Sequence, residues 1–155
     1  MTKKKSLGKK VGKKTKKKDI KKVKINYGMF FANEKGKLID FRMKTLQKFF
    51  GCAFNTEINL KIIVFSDKIL EHVELYQKAR SKLFKKYGEE TKKGESKIKK
   101  EHLKTFYKEQ ENLLNVTADI VIDIIELSAE DIDDSGNKFK SNELRYLKDN
   151  IFTII

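Results

Sequence analysis

The chain contains no proline, no tryptophan and a single cysteine, Cys52. One cysteine excludes an internal disulfide and accords with a reducing compartment. The lack of proline removes the strongest helix breaker, which suits long helices. No apolar run approaches the length of a membrane span. Lysine interrupts the N-terminus too often for a signal peptide. The glycines are isolated, and neither GxxxxGK[ST] nor GxGxxG occurs, so no phosphate-cradling loop is expected. The only histidines, His72 and His102, have no clustered cysteine or carboxylate set, so neither a zinc site nor any other cofactor is expected. These exclusions lead to the expectation of a soluble protein without membrane contact, intracellular or packaged in a particle assembled inside a cell.

What is abundant is lysine, and it is concentrated. Thirteen of the first 24 residues are lysine, opposed only by Asp19. That segment carries +12 of the formal net charge of +14, and the remainder is close to neutral at +2. Residues 1–22 read as a Lys-rich arm, expected to be flexible because like charges repel and too few apolar residues exist to form a core. Residues 23–155 read as one domain, long enough to bury a substantial core. Lysines meet phosphates as point charges with little base discrimination, and each phosphate neutralised releases counterions. Lys3, Lys4, Lys5, Lys9, Lys10, Lys13, Lys14, Lys16, Lys17, Lys18, Lys21 and Lys22 are therefore candidate contacts to a DNA or RNA backbone. The arm has no arginine and no aromatic residue, so binding through it is expected to be non-specific and strongly salt-dependent. A solubilising tail, or a tail for an acidic protein surface, is the competing interpretation.

Hydrophobic spacing organises the rest. Val23, Ile25 and Tyr27 alternate with polar residues, which predicts a strand within 23–32, followed by a turn at Asn33 to Gly36. A helix is expected from about Leu38 to Phe50, with Phe41, Leu46, Phe49 and Phe50 near one face. From Asn55 or Thr56, apolar residues recur at steps of three and four: Ile62, Phe65, Ile69, Val73, Tyr76, Ala79, Leu83 and Tyr87. That spacing predicts a long helix with one apolar stripe, stopped at Gly88. A second long helix is expected from Ser96 to Asn115, with Leu103, Phe106, Gln110, Leu113 and Leu114 inward. The two should form an antiparallel hairpin over about 55–115. Residues 116–127 then switch to a period of two, a strand expected to pair with the one near Val23. Ser128 to Asp131 resembles a capping box, and Ser141 is expected to cap a last short helix. The closing IFTII should pack on the core or on a partner. The fold class is α+β, mostly α: a helical hairpin on a small sheet, with a basic N-terminal arm.

Few residues suggest chemistry. Asp131, Asp133, Ser135, Gly136 and Asn137 match the opening of a calcium-binding loop, but the twelfth position is Asn142 where a bidentate glutamate is needed. A turn with Gly136 at positive φ explains the same letters. Cys52 sits in an apolar setting (FFGCAF) and reads as a buried thiol. Glu71, Glu74, Glu109 and Glu111 read as outer-face partners of lysines rather than paired catalytic acids. No catalytic constellation is evident, so the expectation is a protein that is not an enzyme. Phe84, Tyr107 and Phe152 are candidate contacts to protein partners, because the hairpin is long for so small a domain and aromatic residues anchor interfaces. Part of it is expected to project and meet another protein or a second copy of the chain.

YQKARSKLFKKYGEE (residues 76–90), then FYKEQENLLNVTADIVIDIIELSAEDI (residues 106–132) and SNELRYL (residues 141–147), resemble small proteins of tailed bacteriophages and prophages. In these a helix ending in an AR-x-x-L-x-x-KYG-like motif precedes a second helix, an acidic strand and a short terminal helix. The resemblance spans roughly residues 38–147, and the Lys-rich arm departs from its usual start. It implies a phage structural or assembly-associated protein, in the virion or the host cytoplasm, with other phage proteins as partners. It implies no catalytic or binding residue. The alternative is a free, sequence-non-specific nucleic-acid-binding or host-directed regulatory phage protein.

Overall fold

The computed structural model describes residues 19–90 and 96–155. The arm lysines from Lys3 to Lys18, and the disorder expected of that segment, lie outside the described residues. In chain order the elements are β1 (Ile20–Asn26), α1 (Phe41–Phe50), α2 (Thr56–Tyr87), β2 (Gly88–Glu90), β3 (Ser96–Ile98), α3 (Leu103–Leu114), β4 (Thr117–Asp123), β5 (Ile125–Leu127), α4 (Ala129–Asp133), α5 (Ser141–Asn150) and β6 (Phe152–Ile154). The class is α+β and mostly helical, as the periodicities require.

β1 begins at Ile20, so Lys21 and Lys22 belong to the sheet rather than the arm. It stops at Asn26, whose side-chain oxygen accepts the Gly28 N–H at 2.8 Å and turns Tyr27–Phe30 into a 3-10 helix. This local bond overrides the β-propensity of the MFF run that follows. β1 pairs antiparallel with β4, Val23 opposite Ile120 and Ile25 opposite Ala118. The expected single strand over 116–127 is broken at Ile124, whose N–H donates to the Asp19 carbonyl at 2.9 Å. Beyond the break, β5 pairs in parallel with β6, Ile125 opposite Phe152. Of the closing IFTII, Ile151 and Phe152 thus pack on the core of the chain, while Ile154 and Ile155 stay exposed.

Caps set the helix ends. α1 starts at Phe41 rather than Leu38 because the Asp40 carboxylate accepts the N–H groups of Arg42 and Met43, at 2.8 and 3.4 Å. Asn55 caps α2 through the Ile58 N–H at 2.9 Å. α2 runs for 32 residues, about 48 Å. It buries Ile58, Ile62, Phe65, Ile69 and Tyr76 against Val23, Ile25, Leu46, Phe49, Ile120 and Ile122. Gly88 ends it for reasons of space, since a Cβ there would strike the Phe84 carbonyl. The second helix of the hairpin starts at Leu103, not Ser96. Residues 96–98 instead form a ladder with β2, Gly88 opposite Ile98, and Lys100–His102 make a 3-10 turn. α3 is only 12 residues long and lies antiparallel on the last turns of α2, Phe106 against Phe84 and Tyr87.

Ser128 forms the expected capping box, accepting the Asp131 N–H at 3.1 Å while the Asp131 carboxylate accepts the Ser128 N–H at 2.8 Å. The expected cap at Ser141 is not made. Lys140 occupies that place, its N–H donating to Glu143 Oε1 at 2.7 Å, and Ser141 sits inside the first turn.

Candidate nucleic-acid and protein interfaces

The ladder places the candidate lysines that are described. Lys22 and Lys24 lie on the outer face of the β1–β4 ribbon, opposite Val121 and Asp119, while Lys21 is half-buried opposite Ile122. The other face carries Val23, Ile25, Ile120 and Ile122 into the core. Lys24 opposite Asp119 is a cross-strand pair of opposite charge, which partly offsets the cation locally.

The root of the arm is acidic. Asp19, which follows Lys18 directly, lines a cleft of about 710 Å³ with Glu57, Lys61, Asp123, Glu126 and Asp131. Lys61 Nζ donates to the Ile124 carbonyl there at 3.0 Å. Between positions 116 and 137 the chain has seven carboxylates and no basic residue. Between positions 78 and 111 it has twelve basic residues against six glutamates. The near-neutral total therefore hides two regions of opposite sign. The fold keeps them apart, because the cleft abuts the first turns of α2 and the basic region covers its last turns. From Lys61 to Tyr87 the helix extends about 39 Å. Among the described residues no group of three or more His, Cys, Asp or Glu side chains is arranged to hold a metal ion.

The three aromatic interface candidates have different fates. Tyr107 is 61% exposed on the outer face of α3. Phe84 is half-buried, its ring 5.2 Å from Phe106 and under the Arg80 guanidinium at 5.2 Å. Phe152 is a correction: at 2% exposure it packs 5.7 Å from Phe49, so it is a core residue and offers no surface to a partner. Its place in β6, against β5, draws it inward.

Other singled-out residues are engaged within the chain. His72 packs beside Tyr27. Its Nδ1 is hydrogen-bonded to the Tyr27 hydroxyl at 2.8 Å, and burial pushes that phenol above its ordinary pKa. His102 stacks near Tyr87 and lies 3.6 Å from Glu101. Cys52 is buried, with the Asn137 amide 3.6 Å from its sulfur. In the loop with calcium-like letters, Asp131 serves the Ser128 cap. Ser135 is buried and donates to the Ile132 carbonyl at 2.7 Å, and Asn137 donates to the Lys48 carbonyl at 3.0 Å. Gly136 has φ +88°, the turn conformation expected of it. Of the four glutamates read as outer-face residues, Glu109 pairs with Lys86 at 3.4 Å.

One surface escaped the sequence reading. Leu60, Ile63, Val64 and Leu70 are each more than half exposed on the side of α2 opposite its buried stripe. The run Ile62–Phe65 is wholly apolar and winds round more than one side of the helix, so apolar side chains face outward beside the exposed Asp67 as well as inward. The letters carry this signal, but Leu60, Ile63, Val64 and Leu70 fall outside the stripe that steps of three and four define.

No protein-family model, curated protein or solved structure matches this chain.

Proposed function

We propose that this is a non-enzymatic, structural or assembly-associated bacteriophage protein that docks on other phage proteins through its helical domain and holds nucleic-acid phosphates through its Lys-rich arm. The phage setting rests on the resemblance of residues 76–90, 106–132 and 141–147. The observation that carries the nucleic-acid reading is the segregation of charge: +12 in the first 24 residues of a chain whose remainder is nearly neutral. An arm of this kind adds long-range, sequence-independent attraction, and the folded domain supplies position. Leu60, Ile63 and Val64, neighbours on the helix surface, support the docking half with Leu70 two turns on, since clustered exposed apolar residues mark interaction surfaces. An apolar helix or sheet face of another phage protein would fit them.

The test replaces the ten lysines from Lys3 to Lys18 by glutamine in the full-length chain. The parent should bind oligonucleotides with an affinity falling steeply as salt rises, and the variant should lose most of that slope. Salt-insensitive or absent binding by the parent would sink the nucleic-acid half. Stoichiometric presence in purified particles, lost on Ile63→Lys, would support the docking half; a chain found only free in the host favours a free nucleic-acid-binding or regulatory role.

A further inference from the structure

We propose that the exposed face of α3 around Tyr107 is a second nucleic-acid contact, a stacking and phosphate-binding surface for single strands at the end of the molecule remote from the arm's root. The proposal rests on the nucleic-acid reading above and extends it to the folded domain. Tyr107 and Phe41 are the two aromatic residues exposed beyond two fifths among those described. Phe41 leans on Tyr146 at 6.3 Å. Tyr107 is the more open at 61%, and Phe106 braces it edge-to-face at 5.6 Å and 68°. A braced, water-exposed ring is what base stacking needs, and every base has a face to offer it.

The cations around it are spaced for a strand. Lys104 and Lys108 share the helix face of Tyr107 and are exposed, as is Lys100 in the turn before. Lys104 and Lys108 stand about 6 Å apart along the axis. Across the hairpin, Arg80 lies over the Phe84 ring at 5.2 Å. The opposing charges are few: Glu109 is paired with Lys86, which leaves Glu111 on the same face and the exposed Glu101 in the turn before. An acidic protein surface would use the lysines but has no use for the ring; a single strand uses both. A duplex keeps its bases stacked internally and should gain only the phosphate contacts. With the arm rooted at the other end of α2, one strand could meet both regions, each raising the effective concentration of the other.

The test uses the full-length chain with Lys3 to Lys18 replaced by glutamine, so that the arm is silent, and follows fluorescence anisotropy of labelled oligo-dT, oligo-U and a hairpin duplex. Residual, salt-sensitive binding to single strands is expected. Tyr107→Ala should weaken it about tenfold, Tyr107→Phe should restore it, and duplex binding should be unchanged by either. The tighter of oligo-dT and oligo-U identifies the natural strand. If the arm-silent chain does not bind while the parent does, the inference fails and the arm reading stands. If the parent does not bind, both fail. Equal affinity for polyglutamate and oligonucleotide, insensitive to Tyr107→Ala, would make the surface an acidic-protein contact and overturn the inference.

Discussion

The two halves of α2 live in different surroundings. Up to Tyr76 the helix lies against the sheet and α1, and its buried residues join the main core. Beyond Tyr76 it runs on with α3 as its helical cover, and the aromatic residues there, Phe84, Tyr87 and Phe106, form a separate small cluster. The charges divide the same way, carboxylates beside the first half and lysines around the second. A single apolar stripe can thus serve two ends: it anchors one half of a helix and leaves the other as a projecting platform. Small satellite clusters of this kind open more readily than the core they adjoin.

The largest expected effect breaks that contrast or establishes it. Phe65 is fully buried in the main cluster, and Phe65→Ala should destabilise the whole domain by about 3–5 kcal/mol. Phe106 is nearly as buried but sits in the two-helix satellite. Phe106→Ala should cost less, about 2–3 kcal/mol, because the site can collapse. Amide exchange should show α3 losing protection while β1 and β4 keep theirs. If both variants melt the protein in one cooperative step with equal loss, the hairpin end is not a separate unit.

A middle-sized effect concerns a contact found only in the main half. Glu143 is tied to the Lys140 N–H at 2.7 Å and to Lys48 Nζ at 3.0 Å. Burial alone would raise its pKa, but those two bonds and the Lys48 charge outweigh burial and hold it below the usual glutamate range. Asp40 behaves alike, burial opposed by Arg42 and by two backbone N–H groups. For a lowered carboxylate the unfolded chain takes up the proton first. The stabilisation is complete above the ordinary value near pH 4.3 and is lost as pH falls through the folded value. Glu143→Gln should cost about 1–2 kcal/mol at neutral pH, with its cap weakened and Lys48 unpaired. Denaturant titrations from pH 7 down to about 3 should show the variant and the parent converging. Parallel curves would mean that the bridge carries no pH dependence.

How much of this was legible differed between the halves for a physical reason. α2 announced itself because its stripe persists over 32 residues, and the β1–β4 pairing followed from two alternating runs. The hairpin tip did not: β2 and β3 are three residues each, too short for a period to register. Phe152 read as a surface aromatic because nothing local shows that β6 pairs with β5. The two charged regions were visible as letter counts, but their separation is a tertiary fact, created where β4 returns to the early turns of α2. The apolar residues Leu60, Ile63 and Val64 were hidden by the stronger stripe beside them.

The smallest effect expected is the sharpest test of the platform. Lys86 pairs with Glu109 across the satellite, 3.4 Å apart and open to solvent. Hydrogen bonding to Tyr87 first, and then the Glu109 charge, keep the Lys86 ammonium above its ordinary pKa, so it is charged throughout the working range. Exposed pairs add little to folding because water and salt screen them. Glu109→Gln should therefore leave the unfolding midpoint unmoved. It should nevertheless tighten single-strand binding by the arm-silent chain, about two- to threefold at low salt, by removing a carboxylate beside the phosphate path and freeing Lys86. The gain should vanish as salt rises past about 0.3 M. An unchanged affinity at low salt would place the strand elsewhere on the hairpin. A shifted midpoint would mean that the pair holds the two helices together and that the projecting half is not merely a platform.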